Sequence, residues 1–228
     1  MANKQVSKYK VAVILPVSDS MPHLPAMIDS LYGSTDFPFK VIIVESESTD
    51  GTAEYVDNLC NDKDNIEVFH TKKEGLTKAI NMGIHKSGDM DVYITQDDVI
   101  HFRLYKRDWL AEMYSEAQKE HIGLITPLNG GGVSGSDYIK GFQWVGTWAC
   151  YISKKAIKRV GVFDTNMSPG DDIDYTFRVM LSGLNAVVID YWIQHHRLTE
   201  HGDSDAEDKK KKMGEYFRNK YNIGGKNE

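Results

Sequence analysis

The sequence is poor in cysteine, with only Cys60 and Cys150 among 228 residues. Two cysteines at this separation match neither the ligand spacing of a zinc site nor a disulfide framework. Because thiols without disulfide partners are typical of reducing compartments, we expect an intracellular setting and predict a cytoplasmic protein.

Long hydrophobic runs are missing as well. No apolar stretch reaches the roughly 20 residues of a membrane-spanning helix. The first segment, MANKQVSKYK, is polar and has no apolar core of the kind found in signal peptides. The sequence therefore predicts neither a signal peptide nor a membrane segment.

Positive charge is in slight deficit. The chain has 27 lysines and arginines against 33 aspartates and glutamates, which gives a formal net charge of -6. Only short basic segments occur, RLYKR at 103–107 and KKKK at 209–212. This balance disfavours nonspecific nucleic-acid binding as the main function.

The first half of the sequence shows a regular alternation. Short apolar runs of strand length occupy 10–17, 40–46, 66–71 and 91–95. Segments typical of helices lie between them, at 22–31, 51–61 and 74–88. Near-continuous apolar strands are covered on both faces, and the strand–helix–strand order predicts right-handed crossovers. We therefore predict an α/β fold with a parallel sheet through about residue 98.

The second half is less regular, with candidate helices and strands at 105–121, 146–153, 171–183 and 185–192. The glycine-rich segment 129–141 has few side chains to bury, so we predict a mobile loop that becomes ordered when a ligand binds. No linker divides the chain. The predicted organisation is a flexible N-terminus at 1–9, a single domain at 10–204 and a charged, partly helical tail at 205–228.

Two adjacent carboxylates, Asp97 and Asp98, follow the fourth predicted strand. Ligands of an open parallel sheet bind at the carboxyl ends of its strands, and carboxylates there can hold Mg²⁺ or Mn²⁺ together with substrate phosphates. An isolated Asp-Asp pair is more often a solvated turn that caps the next helix. The two residues alone leave both interpretations open.

Five segments together carry a family resemblance. In order, they read VAVILPVSDS, VIIVESESTDGT, EGLTKAINMGIHKSGDMDVYITQDD, GTWACYISKKAIKRVGVFDTNM and DDIDYTFRVMLSGLNAVVI. From about residue 10 to residue 204, their order and spacing resemble the inverting nucleotide-sugar glycosyltransferases of family 2. The resemblance implies a single GT-A (Rossmann-like) domain with a mostly parallel central sheet flanked by helices. It also implies a metal-dependent, inverting transfer of a sugar from a nucleoside-diphosphate sugar to an acceptor hydroxyl.

The resemblance assigns the donor nucleotide to the ends of the first two strands. Pro16 and Val17 match the segment that lies against the base. Glu45 stands where the family usually has an aspartate that reads the base or the ribose. Since Glu45 is one methylene longer, the nucleotide, whether UDP, GDP or dTDP, stays open.

The metal motif of the family, Asp-x-Asp, falls on Thr95, Gln96 and Asp97. Thr95 replaces the first aspartate, so the resemblance implies Asp97 as the ligand of Mn²⁺ or Mg²⁺ and leaves Thr95 to reach a ribose hydroxyl. The loss of one anionic ligand is expected to weaken metal binding without abolishing it.

Asp171 and Asp172 resemble the carboxylate pair that the family places beside the acceptor. An inverting transfer needs a carboxylate that removes the proton of the attacking hydroxyl, and Asp172 aligns with that base. The alternative is that both residues only stabilise a helix N-terminus, where negative charge is favoured.

His195, His196 and His201 resemble the histidine-rich loop that supplies a metal ligand in several family members. A neutral imidazole suits Mn²⁺ better than Mg²⁺. The alternative is a surface cluster of histidines that binds no ion.

Two rival functions are weighed against the transferase. A nucleotidyltransferase needs a glycine-rich, basic phosphate loop after the first strand, and PVSDSMPHLP has none. A noncatalytic nucleotide-sugar or glycan-binding protein with a degenerate site is suggested by Thr95. The acceptor hydroxyl, on a glycan, a protein, a lipid-linked molecule or a modified nucleic acid, stays open.

Overall fold

The computed structural model of the protein describes residues 8–103, 106–128, 133–135, 142–196 and 206–223. Within this part of the chain, no helix combines the length and the apolar character needed to cross a bilayer.

Eleven strands are described, in chain order β1 Val11–Val17, β2 Phe39–Ser46, β3 Ile66–Thr71, β4 Asp91–Thr95, β5 Val99–His101, β6 Ile122–Pro127, β7 Val133–Gly135, β8 Gln143–Val145, β9 Ala149–Ile152, β10 Asn185–Ile189 and β11 Ile193–His195. The described helices are α1 Leu24–Ser34, α2 Thr52–Asp62, α3 Leu76–Lys86, α4 Trp109–Ala117, α5 Lys154–Val160, α6 Asp171–Leu181 and α7 Ala206–Tyr221.

Seven of these strands form the central sheet, in the order β10-β6-β9-β4-β1-β2-β3. Six of them run parallel, and β9 is antiparallel to both of its neighbours. The strand β1 is buried along its whole length, as expected for a strand covered on both faces. The predicted parallel α/β sheet of the first half is therefore confirmed.

Helices cover both faces of the sheet. One core contains the apolar sides of α1, α2 and α4, and the other contains those of α3, α5 and α6. Because the strands of a parallel sheet share one carboxyl edge, the loops after β1, β2, β3 and β4 lie along a single rim.

The second half departs from the prediction in several places, and two of them lie around α4. The predicted helix at 105–121 is shorter, since α4 begins only after Asp108, whose side chain accepts a hydrogen bond from the Ala111 amide as an N-cap. The segment after α4, for which the sequence predicts no element, is the buried strand β6.

The Asp97-Asp98 turn leads into the short strand β5 and not into a helix. β5 pairs with β11 in an antiparallel ribbon that opposes Val99 and His195. The helix-capping interpretation of this turn is therefore wrong, because β-pairing continues directly after it.

The glycine-rich segment 129–141 lies outside the described residues except for 133–135. These three residues form β7, which pairs with β8. The prediction of a mobile loop stays a prediction.

The helix α7 lies within the segment predicted as a partly helical tail. It packs against α6 through the fully buried Phe217. Lys220 bridges two carboxylates, with Nζ 2.8 Å from Asp164 and 2.6 Å from Asp174. The helix α7 is thereby fixed to the helix that begins with Asp171.

Candidate functional site

A cleft of about 330 Å³ opens at the carboxyl edge of the sheet. It lies over the ends of β1, β2 and β4 and beside the start of α3. Its lining residues are Pro16, Val17, Ser18, Ser20, Ser46, Lys73, Gly75, Leu76, Gln96 and Asp97. The structure thus brings together four of the residues predicted to bind donor or metal, namely Pro16, Val17, Gln96 and Asp97.

Pro16 and Val17 end the central strand β1, between β2 and β4. In the register of the sheet, Pro16 lies beside Val44 and Val17 beside Glu45. Proline removes an amide donor, and this part of the cleft wall is largely apolar.

Glu45 is buried at the end of β2 and does not line the cleft. Its Oε1 accepts a hydrogen bond from the Ser48 amide at 2.7 Å, and its Oε2 lies 2.9 Å from Nδ1 of His70. Burial raises the pKa of Glu45, but these hydrogen bonds outweigh burial and leave the pKa below its ordinary value. Both carboxylate oxygens are committed within the protein, so the structure gives no support to a direct contact between Glu45 and the base.

Thr95, Gln96 and Asp97 carry the end of β4 into the cleft. Thr95 is fully buried, and its hydroxyl oxygen has no hydrogen-bond partner in the protein. Burial, reinforced by the charge of Asp98, holds the pKa of Asp97 above its ordinary value. An unpartnered buried hydroxyl next to a carboxylate that faces the cleft fits the oxygen ligands that Mg²⁺ and Mn²⁺ prefer.

His195 and His196 lie beside the same turn because β11 pairs with β5. The His195 Nε2 atom is 3.1 Å from Oδ1 of Asp98, although this oxygen receives no hydrogen bond of good geometry. The imidazole of His195 stacks on Trp148 with ring centroids 4.3 Å apart. The His196 amide donates to the Asp98 carbonyl at 2.9 Å, which fixes this loop against the turn.

The third predicted histidine, His201, lies outside the described residues. Among the residues that are described, no group of three His, Cys, Asp or Glu side chains converges as a ready-made metal centre. The geometry brings His195 to Asp98 and leaves Asp97 as the carboxylate that faces the cleft.

Asp171 and Asp172 begin α6, directly after Gly170. The Thr77 hydroxyl donates to Oδ2 of Asp171 at 2.9 Å. Burial and the adjacent charge of Asp171 raise the pKa of Asp172 to about 7, and burial also raises the pKa of Asp171. A carboxylate with a pKa near neutrality can exchange protons readily at physiological pH.

The start of α3 joins the cleft to this carboxylate pair. Gly75 and Leu76 line the cleft, and the next residue, Thr77, holds Asp171. The two groups of residues that the resemblance assigned to donor and acceptor therefore lie on either side of one helix start.

Lys73 and Thr77 are among the residues of this arrangement that were not singled out from the sequence. Both follow β3, whose carboxyl end lies on the same rim as those of β1, β2 and β4. The strand-end rule that selected Asp97 would have selected the segment after β3 as well.

The profile of glycosyl transferase family 2 matches residues 12–161. An uncharacterised glycosyltransferase of Rickettsia bellii is 27% identical over 205 residues, which is 81% of this chain and 29% of that relative. The chain thus spans less than a third of the length of this relative.

Two solved structures share the fold. The mannosyltransferase PcManGT from Pyrobaculum calidifontis, in complex with GDP-Man and Mn²⁺, has a TM-score of 0.71 at 19% identity, over 98% of this chain and 67% of that one. S. aureus TarS 1–349 in complex with UDP-GlcNAc has a TM-score of 0.64 at 20% identity, over 84% and 60% of the two chains. The predicted GT-A architecture is confirmed by these similarities. Since the family profile covers more than half of the sequence, including every residue that lines the cleft, the chain belongs to glycosyl transferase family 2.

Proposed function

We propose that the protein transfers a sugar from a nucleoside-diphosphate sugar to an acceptor hydroxyl, with inversion at the anomeric carbon. The observation that carries this proposal is the joining of a carboxyl-edge cleft, which ends at Asp97, to the carboxylate pair Asp171-Asp172 through the start of α3. One side of the arrangement binds a phosphorylated donor, and the other side supplies a base.

The donor side holds the nucleoside diphosphate with the help of a divalent cation. Asp97 and the Thr95 hydroxyl supply oxygen ligands, and His195, whose Nε2 lies 3.1 Å from Asp98 of the same turn, is the candidate nitrogen ligand. When bound, Mn²⁺ or Mg²⁺ neutralises the charge that develops on the departing diphosphate. The presence of GDP-Man and Mn²⁺ in PcManGT, which shares the fold, supports this assignment.

The acceptor side activates the attacking hydroxyl. Asp172 accepts the hydroxyl proton as the oxygen attacks the anomeric carbon from the face opposite the diphosphate. Asp171 is held by Thr77, so its role is to keep the start of α6 in place and to raise the proton affinity of Asp172 through its charge.

A second candidate function is a noncatalytic protein that binds nucleotide sugars. It is favoured by one observation, the neutral Thr95 at the first position of the metal motif. Such a protein binds the donor but produces neither transfer nor donor hydrolysis, so turnover separates the two functions.

The first prediction concerns Asp97 as a metal and diphosphate ligand. Asp97→Asn removes the anionic ligand, so the variant should lose most of the Mn²⁺-dependent thermal stabilisation by UDP or GDP. We expect metal-dependent nucleotide affinity to fall by on the order of 10- to 100-fold. Asp62→Asn, an exposed carboxylate on α2, is the matched control. Unchanged Mn²⁺-dependent stabilisation in Asp97→Asn would remove Asp97 from the metal site.

The second prediction concerns Asp172 as the general base. Asp172→Asn keeps the acceptor oxygen for the Ile173 amide but cannot take up a proton. It should bind donor and metal like the parent, yet lose on the order of 10²–10⁴-fold in turnover. Asp171→Asn should cost less. The reverse order would move the base to Asp171, and near-normal turnover in both variants would exclude α6 as its source.

A further inference from the structure

The imidazole of His70 on β3 lies between two carboxylates. Its Nδ1 atom is 2.9 Å from Oε2 of Glu45, and its Nε2 atom is 3.0 Å from Oδ1 of Asp57. A neutral imidazole has one N–H donor and one nitrogen that can only accept, whereas an imidazolium donates from both nitrogens. Because an ionised carboxylate only accepts, both contacts are hydrogen bonds only when His70 is protonated.

The packing of the sheet explains this arrangement. Glu45 and His70 are direct neighbours in the register of β2 and β3, so their side chains project from the same face of the sheet. The helix α2 covers that face through the fully buried Val56, and Asp57 is the next residue of the helix. The two elements packed against the imidazole therefore each present a carboxylate, Glu45 from β2 and Asp57 from α2.

The surrounding charges favour the protonated form. Hydrogen bonds to Glu45 and then to Asp57 raise the pKa of His70 above its ordinary value and outweigh burial, which lowers it. The ammonium of Lys86 on α3 lies 4.4 Å from the ring centroid of Phe69, which faces the other core, so this positive charge is on the opposite side of the sheet. The His70 side chain is 49% exposed, so its proton exchanges with solvent as the pH changes.

Glu45 connects this bridge to the wall of the cleft. Its other oxygen, Oε1, accepts from the Ser48 amide at 2.7 Å, and Ser48 Oγ accepts from the Asp19 amide at 3.0 Å in the loop after β1. Ser46 follows Glu45 and lines the cleft, and its carbonyl accepts from the Ser18 hydroxyl at 3.0 Å. The loops that form this wall are thus attached to the carboxylate that the bridge holds.

We propose that His70 is a proton-dependent bridge that regulates the cleft, so that nucleoside diphosphates bind more tightly when His70 is protonated than when it is neutral. The inference rests on the proposed function, because it takes the cleft to be the donor site. Loss of the proton removes one of the two hydrogen bonds and leaves a ring nitrogen lone pair facing a carboxylate. The Glu45 side chain is only 4% exposed, and a buried carboxylate without a compensating charge is unfavourable. The arrangement that shapes the cleft wall is therefore weaker in the neutral form.

The linkage between proton and nucleotide works in both directions. Nucleotide affinity should fall as the pH rises through the pKa of His70 in the free protein. By reciprocity, a bound nucleotide should raise the pKa of His70. We expect an affinity ratio of about fivefold between the two forms, which corresponds to an upward shift of about 0.7 of a pH unit in the titration midpoint of His70.

NMR titration of the His70 imidazole measures this shift, in the free protein and with saturating UDP or GDP and Mg²⁺, the diamagnetic cation. His70→Gln identifies the resonance by its absence. The midpoint in the free parent protein should lie above about 6.5 and should rise further when the nucleotide binds. Asp57→Asn removes one of the two charges and should lower the midpoint in the free protein. Asp62→Asn, an exposed carboxylate on the same helix, is the matched control and should titrate like the parent.

Calorimetric titration with the same nucleotide supplies a second readout. Between pH 6 and pH 8.5, the parent protein should lose about fivefold more affinity than His70→Gln, which has no proton to release. The comparison cancels the titration of the nucleotide itself. If His70→Gln does not fold, Asp57→Asn replaces it, and its loss of affinity should begin at a lower pH than in the parent.

Three results would overturn the inference while the donor site stands. The first is a nucleotide that binds without moving the His70 midpoint. The second is a midpoint at or below about 6.5 in the free protein, and the third is the same midpoint in Asp57→Asn as in the parent. Failure of both UDP and GDP to bind with a divalent cation at any pH would overturn the proposed function together with the inference.

Discussion

At the scale of single residues, Asp172 shows how burial and the charge of a helix N-terminus act on the pKa of one carboxylate in opposite directions. A carboxylate at a helix N-terminus is ordinarily stabilised by roughly 0.3–1 kcal/mol, which lowers its pKa by less than one unit. Here burial and the charge of Asp171 raise the pKa to about 7. Burial therefore outweighs the helix dipole, and the carboxylate destabilises the fold when it is ionised.

This conflict gives a prediction about pH and stability. A raised pKa means that the protonated carboxyl is favoured in the folded state, so the parent protein loses stability as pH rises from about 4 through about 7. Asp172→Asn has no charge to bury. It should match the parent below pH 4 and exceed it at pH 8 by several degrees in Tm, because 1 kcal/mol shifts Tm by roughly 2–4 °C in a chain of this size.

Thermal unfolding from pH 3.5 to pH 8 measures this difference, with Asp62→Asn as the control that should track the parent throughout. A difference in Tm that does not change with pH would show that Asp172 is ionised in the folded state without cost. If Asp172→Asn loses turnover and gains stability at pH 8, Asp172 contributes to the reaction at a cost to the stability of the fold.

The positions of residues at the cleft could be predicted from the sequence, but the side chains that bind to those residues could not. Asp97 and Gln96 follow a recognisable buried strand, so their position on the rim could be inferred. The Glu45 carboxylate hydrogen-bonds to His70 of β3, and the other ring nitrogen of His70 lies against Asp57 of α2. No spacing in the sequence signals such a three-way contact, since it exists only after the sheet and the helix have packed.

At the scale of elements, α3 packs more closely on the sheet than any helix with a side chain at the same position could. A Cβ atom added to Gly83 would lie 2.4 Å from Cγ2 of Ile14, which is fully buried in β1. Gly33 in α1 provides a contrast, since nothing lies within 4 Å of its added Cβ. Gly83 therefore allows close packing of α3 on the sheet, whereas Gly33 in α1 has no such packing role.

These two glycines give a paired prediction. Gly83→Ala should destabilise the protein by roughly 1–3 kcal/mol, because the overpacked Ile14 is β-branched and enclosed. Gly33→Ala should stabilise it by roughly 0.5–1 kcal/mol, because alanine is the better helix former. Urea unfolding of both variants measures the two changes. If both substitutions stabilise the protein, the close contact between α3 and β1 is absent in solution.

The elements also show where prediction from sequence ends. The strands β1 to β4 are long, apolar and separated by helical segments, so both their existence and their parallel order could be inferred. The ribbon of β5 and β11 has three residues in each strand, too few for a periodic pattern. Its pairing is nevertheless what brings His195 to Asp98.

At the scale of the whole molecule, the helix α7 supports α6, which carries the proposed base. Lys220 and the Tyr221 hydroxyl both donate to Oδ1 of Asp174, a fully buried carboxylate that also pairs with Arg178 at 2.8 Å. The composition predicted a charged, partly helical tail at 205–228. Its few apolar residues, above all Phe217, dock it, because they share one face of α7.

The order of residues along the chain also determines when each part of the candidate site is synthesised. Every residue that lines the cleft lies between Pro16 and Asp97, whereas Asp172 follows 75 residues later. At a synthesis rate of about 5–20 residues per second, the ribosome makes Asp172 roughly 4–15 s after Asp97. A nascent chain therefore has every side chain that lines the cleft before it has the carboxylate proposed as the base.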